Sequence, residues 1–194
     1  MNREDATLLI LAGGASRRMG RPKHLLPTTS GCLIDHLVQR FGGAFEEILV
    51  VGCDLSTRAD GVRAVADVRP EQSPLVGVHG GLTAATTDLS FVLACDLPFA
   101  VPDLVHHILS ASFNVDIAVP VVRGYLEPLF AAYRQSALES ITETLDRGIL
   151  KVTACYERLR VRELPEAEIR RHDPDLASFV NLNVPEQIHL LSHL

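Results

Sequence analysis

Three short segments of this 194-residue chain combine residue types that can hold a phosphate, a metal ion or a heterocycle. The first is Leu11-Ala-Gly-Gly-Ala-Ser-Arg-Arg-Met-Gly-Arg-Pro-Lys23. Gly13 and Gly14 lack Cβ, so a phosphate or base can approach the backbone closely and the chain can turn with positive φ. Arg17, Arg18 and Lys23 bring positive charge to a chain of formal net charge −6. Arginine grips phosphate oxygens in pairs, whereas lysine acts as a point charge. The loop is not a Walker A sequence, because Lys23 lacks the preceding Gly and the following Ser or Thr, and it does not match G-x-G-x-x-G. Taken alone, a Gly-Gly turn with basic neighbours reads equally as a surface turn with solvated side chains.

The second segment, Phe91-Val-Leu-Ala-Cys-Asp96-Leu-Pro-Phe, is an apolar strand ending in a carboxylate, with Pro98 stopping the extended run. Aspartate is a hard oxygen ligand suited to Mg²⁺, which takes one or two carboxylates together with waters and substrate phosphates. The plainer reading is a turn or capping Asp. The third segment, Val62-Arg-Ala-Val-Ala-Asp67, also ends in Asp and is followed by Ser73-Pro-Leu-Val-Gly-Val-His-Gly-Gly81. Asp67 could accept hydrogen bonds from the imino and amino groups of a guanine edge. Gly77, Gly80 and Gly81 would let a helix start lie close to a flat ring; tight packing of a helix on a sheet is the alternative, and the better one for Gly81.

These segments need a frame that brings them together. Short apolar runs alternate with longer amphipathic segments, the pattern of a parallel sheet covered by helices on both faces. Strands are predicted at Thr7–Ala12, Glu47–Val51, Val62–Ala66, Phe91–Ala94 and Ile117–Val121. The first and fourth lack polar alternation beyond their first residues, as central strands buried on both faces do. Helices are predicted at Leu33–Phe41, Gly80–Thr86, Pro102–Ser112 and Ser136–Arg147, the last stopped by Gly148, with a short helix after Pro185. Leu129–Tyr133 reads as a strand running against the others, and Glu157–Asp175 is charged with weak periodicity. In open sheets of this kind ligands bind beyond the carboxyl ends of the strands, where all three segments fall.

Composition narrows the classes further. With 18 Lys+Arg against 24 Asp+Glu, the chain lacks the electrostatic case for nucleic-acid or anionic-membrane binding. No apolar run approaches the ~20 residues that span a bilayer, and the acidic amino terminus does not suit a signal peptide. Cys32, Cys53, Cys95 and Cys155 make no C-x-x-C pair and no Cys/His metal spacing, which is the usage of a reduced, cytoplasmic protein without a structural metal. The length suits one domain spanning residues 1–194, with no linker or internal repeat.

At these segments the chain resembles the MobA-like nucleotidyltransferases, above all the guanylyltransferases of molybdenum cofactor assembly. The motifs, in family order, are Leu11 to Lys23, Pro74-Leu-Val-Gly77, Cys95-Asp-Leu-Pro-Phe99, Glu127-Pro-Leu-Phe-Ala131 and Asn181-Leu-Asn-Val-Pro-Glu186. The resemblance implies a Rossmann-like three-layer α/β/α sandwich with a mostly parallel sheet, of the nucleotide-diphospho-sugar transferase kind. It implies a Mg²⁺-dependent enzyme that joins GMP from GTP to the terminal phosphate of molybdopterin and releases pyrophosphate. Carried over by position, Leu11, Ala12, Gly13 and Gly14 are similar to the nucleotide-contacting turn, and Arg18 and Lys23 to the phosphate grips. Asp67 is similar to the guanine-side contact, Asp96 to the magnesium ligand, and Asn181 and Asn183 to the asparagines of the pterin side. Cys53 falls near another nucleotide contact of the family.

Two departures bear on nucleotide choice: Val76 stands where the family often has Ala, and Arg21-Pro-Lys23 replaces x-Asp-Lys, as in cytidylyltransferase relatives. Gly13-Gly14, in place of the Ala-Gly of CTP users, points to GTP. The rival readings are a molybdenum cofactor cytidylyltransferase, a nucleotidyltransferase acting on a sugar or other small phosphate, and a non-catalytic nucleotide-binding partner of a molybdoenzyme. Expected partners are GTP and molybdopterin, with transient contact to a cofactor-assembly protein or a molybdoenzyme.

Overall fold

A computed structural model describes residues 4–13, 23–28, 31–53, 61–66 and 69–182. The predicted frame is present with small shifts at its ends. Strands β1 (Glu4–Leu11), β4 (Phe45–Val51), β5 (Val62–Val65), β6 (Leu89–Ala94) and β7 (Ile117–Val122) match the five predicted runs. Between β1 and β4 lie the two-residue strands β2 (Pro27–Thr28) and β3 (Gly31–Cys32), paired as a small hairpin, and helix α1 (Leu33–Phe41). Asp35 fixes the start of α1 by accepting the Cys32 amide at 2.8 Å.

Helix α2 (Pro74–Ala84) begins six residues before the predicted Gly80. Ser73 caps it by accepting the Val76 amide, and Pro74 occupies the first turn. Three glycines lower its intrinsic propensity, and packing overrides that cost. α3 (Pro102–Ala111) opens on Pro102 and Asp103, and α4 (Leu138–Asp146) starts two residues late because Gln135–Ala137 form a 3₁₀ turn. Gly148 follows α4 at φ 73°, as predicted for the stop. β8 (Tyr125–Leu126) folds back on β7, and β9 (Phe130–Arg134) runs antiparallel to β6 and β7.

The charged stretch 157–175 holds two elements not predicted there: β10 (Val161–Pro165), parallel to β7, and α5 (Glu166–Ile169). Only Leu164 of β10 is buried; Arg162 and Glu163 face solvent, a charged dressing suited to an edge strand. Ion pairs Arg160–Asp116 and Arg158–Glu143 and a hydrogen bond between His107 and Glu168 tie the stretch to the rest of the sheet and its helices. The short helix expected after Pro185 lies outside the described residues.

The sheet order is β10-β7-β9-β6-β1-β4-β5, with β8 beside β7. β1 and β6 are central and bury both faces. Leu8 and Ile10 join α1, α3 and α5 on one side, while Leu9 and Leu11 join α2 and α4 on the other. The two layers together account for the three-layer α/β/α architecture.

Candidate active site

Parallel pairing in a common register makes the carboxyl rim of the sheet flush. Leu11 stands beside Val51 on one side and Ala94 on the other, and Val51 beside Val65. Past the strand ends, backbone hydrogen bonds continue the alignment: Ala12 N–H to Val51 C=O at 2.9 Å, Gly52 N–H to Val65 C=O at 3.0 Å, and Cys95 N–H to Leu11 C=O at 3.0 Å. The turn Leu11–Gly13 and the loop carrying Asp96 are therefore adjacent strands' exits, although some 80 residues separate them. Leu11 and Ala12 are buried and Gly13 is exposed at the rim.

Asp96 is half-buried in the turn after β6. Its loop is clamped from α1 by two side chains: His36 Nε2 donates to the Pro98 carbonyl at 3.1 Å, and Arg40 Nε donates to the Ala100 carbonyl at 2.6 Å. Burial lowers the His36 pKa, assisted by the nearby Arg40 charge, while the Pro98 carbonyl opposes it. A neutral ring with its proton on Nε2 satisfies that carbonyl. On the other flank the Leu182 amide donates to the Asp96 carbonyl at 3.0 Å, which sets exposed Asn181 next to the Asp96 turn. No local pattern in the sequence signals this link between the carboxyl-terminal segment and β6.

Lys23 opens a 3₁₀ turn, Lys23–Leu25, whose continuation is pinned ahead of α1 by the Leu33 amide donating to the Leu26 carbonyl at 2.9 Å. Gly14, Arg18, Asp67 and Asn183 lie outside the described residues. Cys53 is half-buried just beyond β4 and packs against the core on the α1 side. Gly77 and Gly81 are packing glycines: a Cβ on Gly81 would stand 2.8 Å from Leu9 Cδ1, and one on Gly77 would stand 3.4 Å from Leu11 Cδ2. Their absent side chains let α2 lie directly on β1, beneath the Leu11–Gly13 turn.

For a divalent cation the donor chemistry is simple. Among the described residues no three His, Cys, Asp or Glu side chains gather into a protein-only cage. The Asp96 carboxylate, a hard ligand on the rim, fits an ion that completes its shell with phosphate oxygens and water, the habit of Mg²⁺. Also among the described residues, no helix is long and apolar enough to cross a membrane.

Comparison with known proteins agrees with this geometry. A MobA-like NTP transferase domain matches residues 8–162. A probable molybdenum cofactor guanylyltransferase of Pelotomaculum thermopropionicum is 34% identical over 185 residues, covering 95% of this chain and 90% of that protein. A molybdenum cofactor guanylyltransferase of Desulfosudis oleivorans is 34% identical over 191 residues, covering 95% and 93%. The crystal structure of molybdopterin-guanine dinucleotide biosynthesis protein A from Archaeoglobus fulgidus superposes with a TM-score of 0.83 at 26% identity, covering 96% of this chain and 97% of that one. The matched span runs from Leu8 in β1 through β6 and the rim between them and covers most of the chain, and on that basis the chain belongs to the MobA-like NTP transferase family.

Proposed function

We propose that this protein is a Mg²⁺-dependent molybdenum cofactor guanylyltransferase, joining GMP from GTP to the terminal phosphate of molybdopterin. The observation that carries the reading is the rim itself: the Leu11–Gly13 turn, the Asp96 loop and the Asn181 segment meet across two central strands. Its guanylyl assignment draws on relatives of that name that align along nearly the whole chain.

In the reaction, an oxygen of the acceptor phosphate attacks the α-phosphorus of GTP. The bond to the β-phosphate breaks, and pyrophosphate leaves. The attacking group is already an anion, so no strong base is needed; the difficulty is bringing two polyanions together. Arg18 and Lys23 offset that repulsion and the charge that develops on the leaving pyrophosphate, and Asp96 holds the metal. Mg²⁺ supplies Lewis-acid polarisation of the phosphate oxygens when bound. Leu11, Ala12, Gly13 and Gly14 present backbone to the nucleotide, and Asp67 takes the guanine edge. Asn181 and Asn183 line the acceptor side. Positioning supplies most of the remaining acceleration, with no covalent enzyme intermediate. The enzyme works in the cytoplasm and passes its product on through transient contact with a molybdoenzyme or an assembly protein.

The test is pyrophosphate release with GTP, Mg²⁺ and molybdopterin, preceded by thermal stability with GTP, CTP, ATP and UTP, each with and without Mg²⁺. A ligand that binds the native state stabilises it by RT ln(1 + [L]/Kd). Selective stabilisation by GTP and release of pyrophosphate are expected. Selective stabilisation by CTP would move the assignment to a cytidylyltransferase, and nucleotide binding without turnover would make the protein a binding partner only.

A further inference from the structure

Glu127 heads the segment Glu127-Pro-Leu-Phe-Ala131 and stands on the same rim as Asp96. The Ala94 amide donates to the Leu129 carbonyl at 2.9 Å, and the Glu127 amide donates to the Pro120 carbonyl at 2.9 Å. Strands β7 and β8 join through Arg123 and Gly124, both at positive φ (53° and 81°), as in a type I′ hairpin. The Arg123 amide donates to Glu166 Oε2 at 2.8 Å and fastens the tip to α5.

The face of this ribbon is fixed by its neighbours. The ladder pairs Val122 with Tyr125 and Val121 with Leu126, and side chains alternate along it. Leu126 packs on the α2/α4 side and Val122 on the α1/α3 side. Tyr125 and Glu127, two residues apart, therefore share the α1/α3 side. The segment bearing Asn181 crosses that side as well: the Phe179 ring meets the Phe130 ring edge-on at 5.0 Å, three residues beyond Glu127. Tyr125 is 73% exposed. Glu127 is half-buried, and its carboxylate accepts no hydrogen bond from a described residue. Burial pushes its pKa above the ordinary glutamate range, while the Arg123 charge pulls the other way.

A partly desolvated carboxylate with no donor among the described residues suits a ligand that brings two parallel N–H groups. The 2-amino-4-oxopyrimidine edge does so, and guanine and pterin both carry it. Position distinguishes the two sources. β9, which Glu127 precedes, lies four strands from β5, or about 19 Å at ~4.8 Å per strand, and β5 leads to the guanine-side Asp67. It is the immediate neighbour of β6, which leads to Asp96. We propose that Glu127 determines acceptor specificity: its carboxylate accepts both N–H groups of the pterin's 2-amino-4-oxopyrimidine edge, and the Tyr125 ring flanks the heterocycle. This inference rests on the guanylyltransferase reading above.

The experiment measures pyrophosphate release by wild type, Glu127→Gln and Glu127→Ala. Molybdopterin is varied at saturating GTP and Mg²⁺, then GTP at fixed molybdopterin. Pterin and its 2-oxo counterpart, lumazine, are added as competitors. Both variants should raise KM for molybdopterin roughly 10- to 100-fold, the range that a bidentate pair on a base edge discriminates. KM for GTP and the GTP-induced thermal shift should stay at wild-type values. Pterin should inhibit wild type more strongly than lumazine, and the variants should lose that preference. An unchanged KM for molybdopterin, a rise in KM for GTP instead, or equal inhibition of wild type by the two competitors would overturn the assignment. Glu127→Gln preserves the size of the side chain, so a defect in folding of Glu127→Ala alone leaves the comparison intact. If wild type itself releases no pyrophosphate with GTP and molybdopterin, the guanylyltransferase reading fails and this inference with it; if wild type turns over while both variants keep its KM, only the inference fails.

Discussion

Alanine at Gly81 and at Gly77 should change stability in opposite directions, although the two residues lie one turn apart on the same face of α2. In a helix interior, Gly→Ala is worth about 1 kcal/mol of intrinsic propensity. At Gly81 the new Cβ would lie 2.8 Å and 3.2 Å from the two methyl carbons of Leu9 and 3.3 Å from Val51 Cγ2, all inside the ~3.5–4.0 Å at which carbons attract. Leu9 is wholly buried under α2 and has no solvent to swing into. Overpacking of this kind costs about 1–3 kcal/mol, so Gly81→Ala should lose about 1 kcal/mol net. At Gly77 the nearest contact is Leu11 Cδ2 at 3.4 Å, close to ordinary van der Waals distance, and most of the propensity gain should survive. For a chain of 194 residues, 1 kcal/mol moves Tm by about 2–4 °C. Thermal and urea denaturation should show Gly81→Ala falling by that amount and Gly77→Ala rising, with unchanged urea m-values. In a Leu9→Ala background the Gly81→Ala change should turn stabilising, giving a coupling of about 1 kcal/mol or more. If Gly81→Ala raises Tm in the wild-type background, the close approach of α2 to β1 is not the reason glycine stands there.

Asp96→Asn keeps the size of the side chain and removes its charge, so turnover should fall by about 10²-fold or more with Tm unaltered; near-normal turnover would demote Asp96 to a turn residue. Lys23→Ala should leave the fold intact and weaken GTP. A tenfold loss in Kd would take about 1.4 kcal/mol off the stabilisation that saturating GTP confers, read as a smaller thermal shift, whereas unfolding would make Lys23 structural. His36 is held neutral by burial, its folded pKa lying below the unfolded value of about 6.5. Its contribution is thus present above pH ~6.5 and lost as the pH falls from there through the folded pKa, because the unfolded chain binds the proton first. His36→Gln should flatten the decline of Tm as the pH falls below ~6.5; an unchanged slope would remove His36 from the acid sensitivity.

The frame was legible where burial is two-sided. β1 and β6 announce themselves as unbroken apolar runs because both faces meet helices, and α1 because its apolar stripe and its start at Leu33 coincide. α2 was half hidden. Ser73-Pro74 is a sound helix start, but Gly77, Gly80 and Gly81 mask the helix beyond it, since their value lies in contact with β1 and not in local propensity. β10 was hidden for the converse reason: an edge strand with one buried residue and charged neighbours carries almost no periodic signal.

The site was legible in its residue types more than in its assembly. Strand order, which no local pattern encodes, makes Leu11 and Asp96 neighbours, and the Leu182–Asp96 backbone bond brings in Asn181. Glu127 had no functional reading in the sequence for a topological reason. The rule that ligands bind beyond the carboxyl ends of strands directs attention to the turns after β1, β5 and β6. β9 runs the other way, so its amino end opens on that rim and the turn before it, not the turn after it, delivers side chains there. The antiparallel strand extends the crevice past β6 while reversing the chain, and the type I′ tip at Arg123–Gly124 lets the preceding strand return in only two residues. Residues 125–127 thus reach the rim from the side of Asp96 opposite the Leu11–Gly13 turn, which is where the second substrate enters in the proposed reaction, with the two phosphates meeting over Asp96.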